Sequence, residues 1–123
     1  MTTTALLGRV VVVAGTAGVL PDIADALVDA GAFVAFAAPG RDAATAHAGF
    51  RVDPADPSVW PRIAPHVEQR LGPVDAVVCD GGCYDVIRPV FEPDLRRRGH
   101  GAVICIDADD DVSTIVSRLA GTR

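Results

Sequence analysis

The stretch GRVVVVAGTAGVLPDIADALVDAG, from Gly8 to Gly31, decides the fold. Its four consecutive valines, Val10 to Val13, are β-branched and unbroken by any polar residue. Such a run marks a strand covered on both faces rather than on one. Ala14-Gly15 ends it. From about Pro21 to Ala30 the period changes: Ile23, Ala24, Leu27 and Val28 recur at helical spacing, while Asp22, Asp25 and Asp29 take the other face. Gly31 supplies a C-terminal stop. A buried strand, a glycine-containing turn and an amphipathic helix make one βα unit.

The alternation continues outward from there. Phe33 to Ala37 reads as a second strand, broken by Pro39-Gly40, with a short helix expected from Arg41 to Ala48. Phe50 to Asp53 reads as a third, edge-like strand. Pro57 to Leu71 is helical by pattern, since Val59, Ile63, Val67 and Leu71 repeat every four residues. Pro61 suits the first turn, whereas Pro65 is expected to kink the helix or shift its start. Ala76 to Cys79 is a strand closed by Asp80-Gly81-Gly82. The segment from Asp85 to Arg98 contains Pro89 and Pro93, so only a short helix is expected there, ending at Arg96-Arg97-Arg98-Gly99. Ala102 to Ile106 is another buried strand. Asp109, Asp110 and Asp111 then open a final helix with Val112, Ile115, Val116 and Leu119 on its apolar face, acids in a first turn being favoured by the helix dipole. This order predicts an α/β fold: a Rossmann-like, doubly wound parallel sheet of four to five strands with helices on both faces. Residues 1–123 read as a single domain, with any site in the loops at the carboxyl ends of the strands.

Composition narrows the chemistry. The 123 residues are 50% hydrophobic and carry a net charge of −5, from 16 acids and 11 bases. Every base is an arginine. Schiff-base, P-loop-lysine and lysine-base mechanisms are therefore excluded on these residues. The acidic balance argues against nucleic acid as the partner. Met1 to Gly8 lacks the basic start of a signal peptide, and the longest uncharged apolar stretch, Val10 to Leu20, is too short to span a bilayer. The expectation is a cytoplasmic protein without membrane contact. Cys79, Cys83 and Cys105 read as reduced core cysteines. His47, His66 and His100 show no ligand spacing, so no metal site is expected.

Taken in series, these residues resemble the short-chain dehydrogenase/reductases. The run from Val11 through Gly15, Gly18 and Leu20 to Gly31 follows that family's first βα unit. Val52-Asp53 resembles the Asp after its third strand. Arg70 to Gly82 resembles a helix, a strand and the Asn-Asn-Ala-Gly loop, and Gly99 to Ile106 resembles the fifth strand. The resemblance covers the whole chain but only the first half of a usual member, which reads as a truncated, degenerate one. Only Thr16 and Ala17 separate Gly15 from Gly18, and Leu20 stands where the family has a third glycine. Those glycines permit close approach of backbone to a pyrophosphate, so this loop should cradle one poorly. Asp80 replaces a neutral amide. Ala108 stands at the family's catalytic serine, and its Tyr-x-x-x-Lys pair has no counterpart, Tyr84 being the only tyrosine.

The candidate cofactor-binding residues are Gly15, Thr16, Gly18, Arg41, Asp53 and Gly81. Arg41, after the second strand, is where the family places a base on a 2′-phosphate. No cofactor is expected, and NADP(H) is favoured if a dinucleotide binds at all. Asp80, Asp85, Asp107 and Asp109–Asp111 should gather at the carboxyl edge of the sheet. There a unit-charge pair at about 4 Å repels by roughly 1 to 4 kcal/mol, which counts against phosphates. Asp80 and Asp107, with Tyr84, are the candidate catalytic residues for proton transfer. Three functions follow. The first is a non-catalytic or accessory subunit, acting as a homo-oligomer or beside a larger dehydrogenase-like subunit. The second is a small non-redox isomerase, dehydratase or cyclase using the edge carboxylates. The third is an atypical NADP(H)-dependent oxidoreductase.

Overall fold

The computed structural model describes residues 6–40, 46–107 and 110–120. Within them lie β1 (Val10–Ala14), α1 (Leu20–Asp29), β2 (Phe33–Ala37), β3 (Ala48–Phe50), α2 (Trp60–Leu71), β4 (Ala76–Asp80), α3 (Tyr84–Arg98), β5 (Ala102–Ile106) and α4 (Val112–Ala120). The strands form one sheet in the order β3-β2-β1-β4-β5, and every pairing is parallel. This is the expected doubly wound α/β arrangement. The chain starts in the middle of the sheet, works outward to β3, then crosses back over β1 to β4 and β5.

Two apolar layers enclose the sheet. Val11 and Val13 point into one with α1 and α4, where Leu20, Ile23, Leu27, Ile115 and Leu119 are buried. Val10, Val12 and Ala14 point into the other with α2 and α3, around Trp60, Ile63, Val67, Ile87 and Phe91. All five residues of β1 are buried, which is why its sequence shows no alternation. Trp60 anchors the second layer. Its indole meets Phe91 edge-on, with ring centroids 5.7 Å apart, and its Nε1 donates to the Pro54 carbonyl at 2.9 Å. A buried indole N–H without that acceptor would be costly. No helix among the described residues is long and apolar enough to cross a membrane.

Three expectations are corrected. The third strand is Ala48–Phe50, not Phe50 to Asp53. Asp53 instead turns the chain, its Oδ1 accepting the Ala55 N–H at 3.0 Å. The helix expected from Arg41 to Ala48 falls partly outside the described residues, and its described end is not helical, since Ala48 opens β3. The segment thought to hold only a short helix is α3, fifteen residues long, with Pro89 and Pro93 inside it. Both prolines are exposed, four residues apart, so the carbonyls they leave unbonded, those of Asp85 and Pro89, lie toward water. Ile87, Phe91 and Leu95 bury the opposite stripe and hold the helix together. In α2 the start moves to Trp60, which puts Pro61 in the first turn, while Pro65 stays inside the helix.

Candidate functional site

The site expected from the sequence lies where β1 and β4 end side by side. Ala14 is in register with Cys79, so Gly15 comes opposite Asp80 as both strands finish. The loop after β1 turns there into α1. The Thr16 and Ala17 amides lie in this loop, ahead of the α1 N-cap Val19, and are not used by the helix.

Asp80 takes them. Its Oδ2 accepts the Thr16 N–H at 2.7 Å and the Ala17 N–H at 3.0 Å, while Oδ1 accepts the Gly82 N–H at 3.1 Å. The Cys83 thiol lies 3.5 Å from Oδ1, and the Thr16 hydroxyl 3.5 Å from Oδ2. Burial pushes the Asp80 carboxyl upward, but the Thr16 and Ala17 amides, the Cys83 thiol and the Gly82 amide outweigh it and hold the group below the usual carboxylate range. One side chain thus ties the β1–α1 loop to the β4–α3 loop.

Gly15 is what lets the carboxylate in. Its φ is +142°, and a Cβ there would lie 2.5 Å from Asp80 Oδ2 and 2.8 Å from Leu20 Cδ1. Gly18, the second glycine of the loop, has no atom within 4 Å of where its Cβ would stand, and its φ is not positive. The two glycines therefore do different work: the first admits a side chain of this same molecule, and the second faces open space.

The other candidates are placed around this point. Gly81 follows Asp80 in an exposed turn, and Tyr84 begins α3 with the Arg88 guanidinium 6.0 Å from its ring centroid. Asp53 lies in the loop after β3. Asp107 follows β5, exposed, with its N–H on Asp110 Oδ2 at 2.8 Å. Asp80 pairs with Ile106 in the β4–β5 register, so Asp107 lies one residue past that pair. Asp111 caps α4 through the Thr114 N–H at 2.7 Å. Arg41, Ala108 and Asp109 lie outside the described residues. Among the described residues no group of three His, Cys, Asp or Glu side chains is placed to hold a metal ion.

The thiols of Cys79, Cys83 and Cys105 adjoin the site. The neighbouring Cys83 thiol and burial push the Cys79 thiol up. Burial and the carboxylate of Asp107 raise that of Cys105. Thiols so raised are poor nucleophiles. The sequence signal for the Asp80 bridge was an acid ending one buried strand and a glycine ending another. It becomes legible only once those strands are known to be neighbours.

The pyrophosphate of a dinucleotide does not fit this loop as it stands. The Thr16 and Ala17 amides of the loop are already bonded to a carboxylate, and that carboxylate would repel an anion brought against it.

No protein-family model and no curated protein matches the sequence. Solved structures do match in fold. A 2-keto-3-deoxy-D-gluconate dehydrogenase from Streptococcus agalactiae superposes with a TM-score of 0.72 at 18% identity, over 87% of this chain and 54% of that one. The aldohexose dehydrogenase of Thermoplasma acidophilum gives 0.70 at 16% identity, over 94% and 58%. A short-chain type dehydrogenase/reductase from Mycobacterium marinum gives 0.65 at 18%, over 94% and 65%. The chain spans between about half and two thirds of their length. Its sheet order, its helices and these superpositions give it the fold of the short-chain dehydrogenase/reductases.

Proposed function

We propose that this chain is a short-chain dehydrogenase/reductase-like protein that acts as a non-catalytic or accessory subunit in an oligomer, its nucleotide loop closed by its own Asp80. The observation that carries the reading is the pair of hydrogen bonds from Thr16 and Ala17 to Asp80 Oδ2. A fixed internal carboxylate satisfies the loop without a ligand, so the fold keeps its shape with no cofactor bound. The alternative acid/base role for Asp80 would need a carboxyl raised toward neutrality, and its surroundings push it the other way.

Calorimetric titration with NADPH and NADH tests the reading. The unsubstituted protein should show no saturable binding at millimolar cofactor. Asp80→Gly, which removes the carboxylate and frees both amides, should bind either dinucleotide at least tenfold more tightly. Micromolar NADPH binding by the unsubstituted protein would overturn the closed-loop reading and return the oxidoreductase alternative.

A further inference from the structure

We propose that Cys79 and Cys83 form a reversible disulfide, made by a small hydroperoxide, which unfastens Asp80 from the β4–α3 loop. The proposal rests on the closed-loop reading above and gives that loop its regulation.

The two cysteines stand at the ends of one turn. Cys79 lies near the end of β4 and Cys83 is the N-cap of α3, with Asp80-Gly81-Gly82 between them. Their thiols are in hydrogen-bond contact with each other inside the apolar layer of α2 and α3. Cys83 Sγ is 3.6 Å from the Ala14 carbonyl, and Ala14 is the register partner of Cys79. Sulfurs already in contact have only to close to the S–S length of about 2.05 Å. Cys105, the third thiol, is the register partner of Cys79 on β5, and its Sγ turns to the Ile106 carbonyl at 3.9 Å. Side chains in register on neighbouring parallel strands stand side by side, a poor approach for a disulfide. The turn leaves the chosen pair within reach. Cys79 and Cys83 are 0% and 1% exposed, which shuts out a bulky oxidant. Gly81 and Gly82, which join them, are exposed, and a Cβ at Gly81 would meet nothing within 4 Å. Two glycines also let the turn bend as the sulfurs close.

Cys83 also touches the bridge. Its thiol donates to Asp80 Oδ1 at 3.5 Å, the same oxygen that accepts the Gly82 N–H at 3.1 Å. The Thr16 and Ala17 amides hold the other oxygen, Oδ2. A disulfide consumes the Cys83 S–H and draws its sulfur toward Cys79, away from Oδ1. The turn that carries Gly82 moves with it. Asp80 then loses its hold on the β4–α3 loop and keeps its hold on the β1–α1 loop. Hydrogen peroxide balances the reaction. The sulfur of Cys83, the cysteine next to the exposed glycines, attacks a peroxide oxygen. The O–O bond breaks, and the released hydroxide takes the thiol proton and leaves as water, giving a sulfenic acid. The Cys79 thiol, pushed up by its neighbour and by burial, keeps its proton until the next step. Its sulfur attacks the Cys83 sulfur, the S–S bond forms and the S–O bond breaks. The departing hydroxide takes the Cys79 proton as a second water. Two electrons pass from the thiols to the peroxide, and an added dithiol reverses the change by exchange.

The experiment treats the intact, reduced 123-residue protein with hydrogen peroxide and reads peptide masses and amide exchange. After alkylation, cleavage at arginine separates residues 71–96, which hold Cys79 and Cys83, from residues 99–118, which hold Cys105. The first peptide should resist alkylation and weigh about 2 Da less than its reduced, unalkylated form, and dithiothreitol should restore it. The second should be alkylated as before. The Gly82 amide should then exchange roughly fivefold faster or more, while those of Thr16 and Ala17 stay slow. Cys83→Ser keeps a hydroxyl for Asp80 but forms no disulfide, so peroxide should leave its Gly82 exchange unchanged. In Cys79→Ala the sulfenic acid at Cys83 should persist and be trapped by dimedone. A first peptide with both thiols free, one oxidised only to sulfinic or sulfonic acid, or a cross-link that includes Cys105 would overturn the proposal. So would a disulfide that leaves Gly82 exchange unchanged. Fast exchange of Thr16 and Ala17 in the reduced protein would overturn the closed loop itself, on which the peptide masses do not depend.

Discussion

The middle of the sheet and its β5 edge meet the same problem, backbone groups left over where regular structure stops, and solve it differently. Where β1 and β4 end, a side chain of the molecule turns inward: Asp80 accepts three amides from two loops, and Gly15 makes room for it. At β5 no described strand follows, and the edge stays apolar and partly exposed between a basic and an acidic cluster. The first place has its Thr16, Ala17 and Gly82 amides bonded from within. The second has no such internal partner among the described residues. A fold whose neighbours carry dehydrogenase names thus has its β1–α1 loop tied from within by a side chain of its own.

The largest effect should come from crowding the closed end. Gly15→Ala forces a Cβ to within 2.5 Å of Asp80 Oδ2 at a φ of +142°, so both the backbone and the carboxylate must move. The expected loss is about 3 kcal/mol or more, since strain at a special φ adds to the broken bridge. In thermal unfolding this should lower Tm by roughly 10 °C or more. A Gly15→Ala protein of unchanged Tm would mean that the carboxylate does not sit in the loop.

Asp80→Ala leaves the Thr16, Ala17 and Gly82 amides to water and should cost about 2 kcal/mol. The bridge also predicts a pH dependence. A carboxyl held below its unfolded value of about 3.9 contributes stability that is fully present above that pH. The contribution is lost as pH falls through the lower, folded value. Denaturant midpoints measured between neutrality and acid should therefore fall below about pH 4, and Asp80→Asn should flatten part of that fall. An acid limb identical in the two proteins would break the contrast between a closed middle and an open edge.

How far the sequence carried this picture depends on how local each feature is. β2 and β5 run between the residues that the apolar pattern names, because parallel strands buried on both faces are written as continuous apolar runs. β3 was displaced because only three residues pair, one of them Gly49, and the more strand-like Phe50-Arg51-Val52 lies beside it. α3 was shortened because proline reads as a breaker whichever face it lies on, and the sequence does not show that both of its prolines face water. Asp80 was read as an edge acid. Its bridge to Thr16 is a contact across 64 residues, set by the β1–β4 register rather than by any motif.

The helix leading into the open edge gives a middling effect of opposite sign. Pro93 is exposed inside α3, and an alanine there would restore the N–H that the Pro89 carbonyl lacks. Pro93→Ala should raise stability by about 1 to 2 kcal/mol, the helix-propensity gain less the extra freedom of the unfolded chain. Urea unfolding measures it, and a loss of stability would show that the proline holds the approach to β5 in a shape alanine does not.

The smallest expected effect is the most discriminating. Gly18 has open space where a Cβ would stand and a backbone that any residue adopts, so Gly18→Ala should change stability by no more than about 0.5 kcal/mol. A loop that cradles a pyrophosphate needs its second glycine for the ligand's approach, not for its own folding. A loop closed by Asp80 needs only the first. If Gly18→Ala leaves Tm intact, the paired glycines are divided as the geometry divides them. If it leaves Tm intact but abolishes a binding that the natural chain displays, the loop serves a ligand after all, and Asp80 is a gate over that ligand's place rather than its replacement.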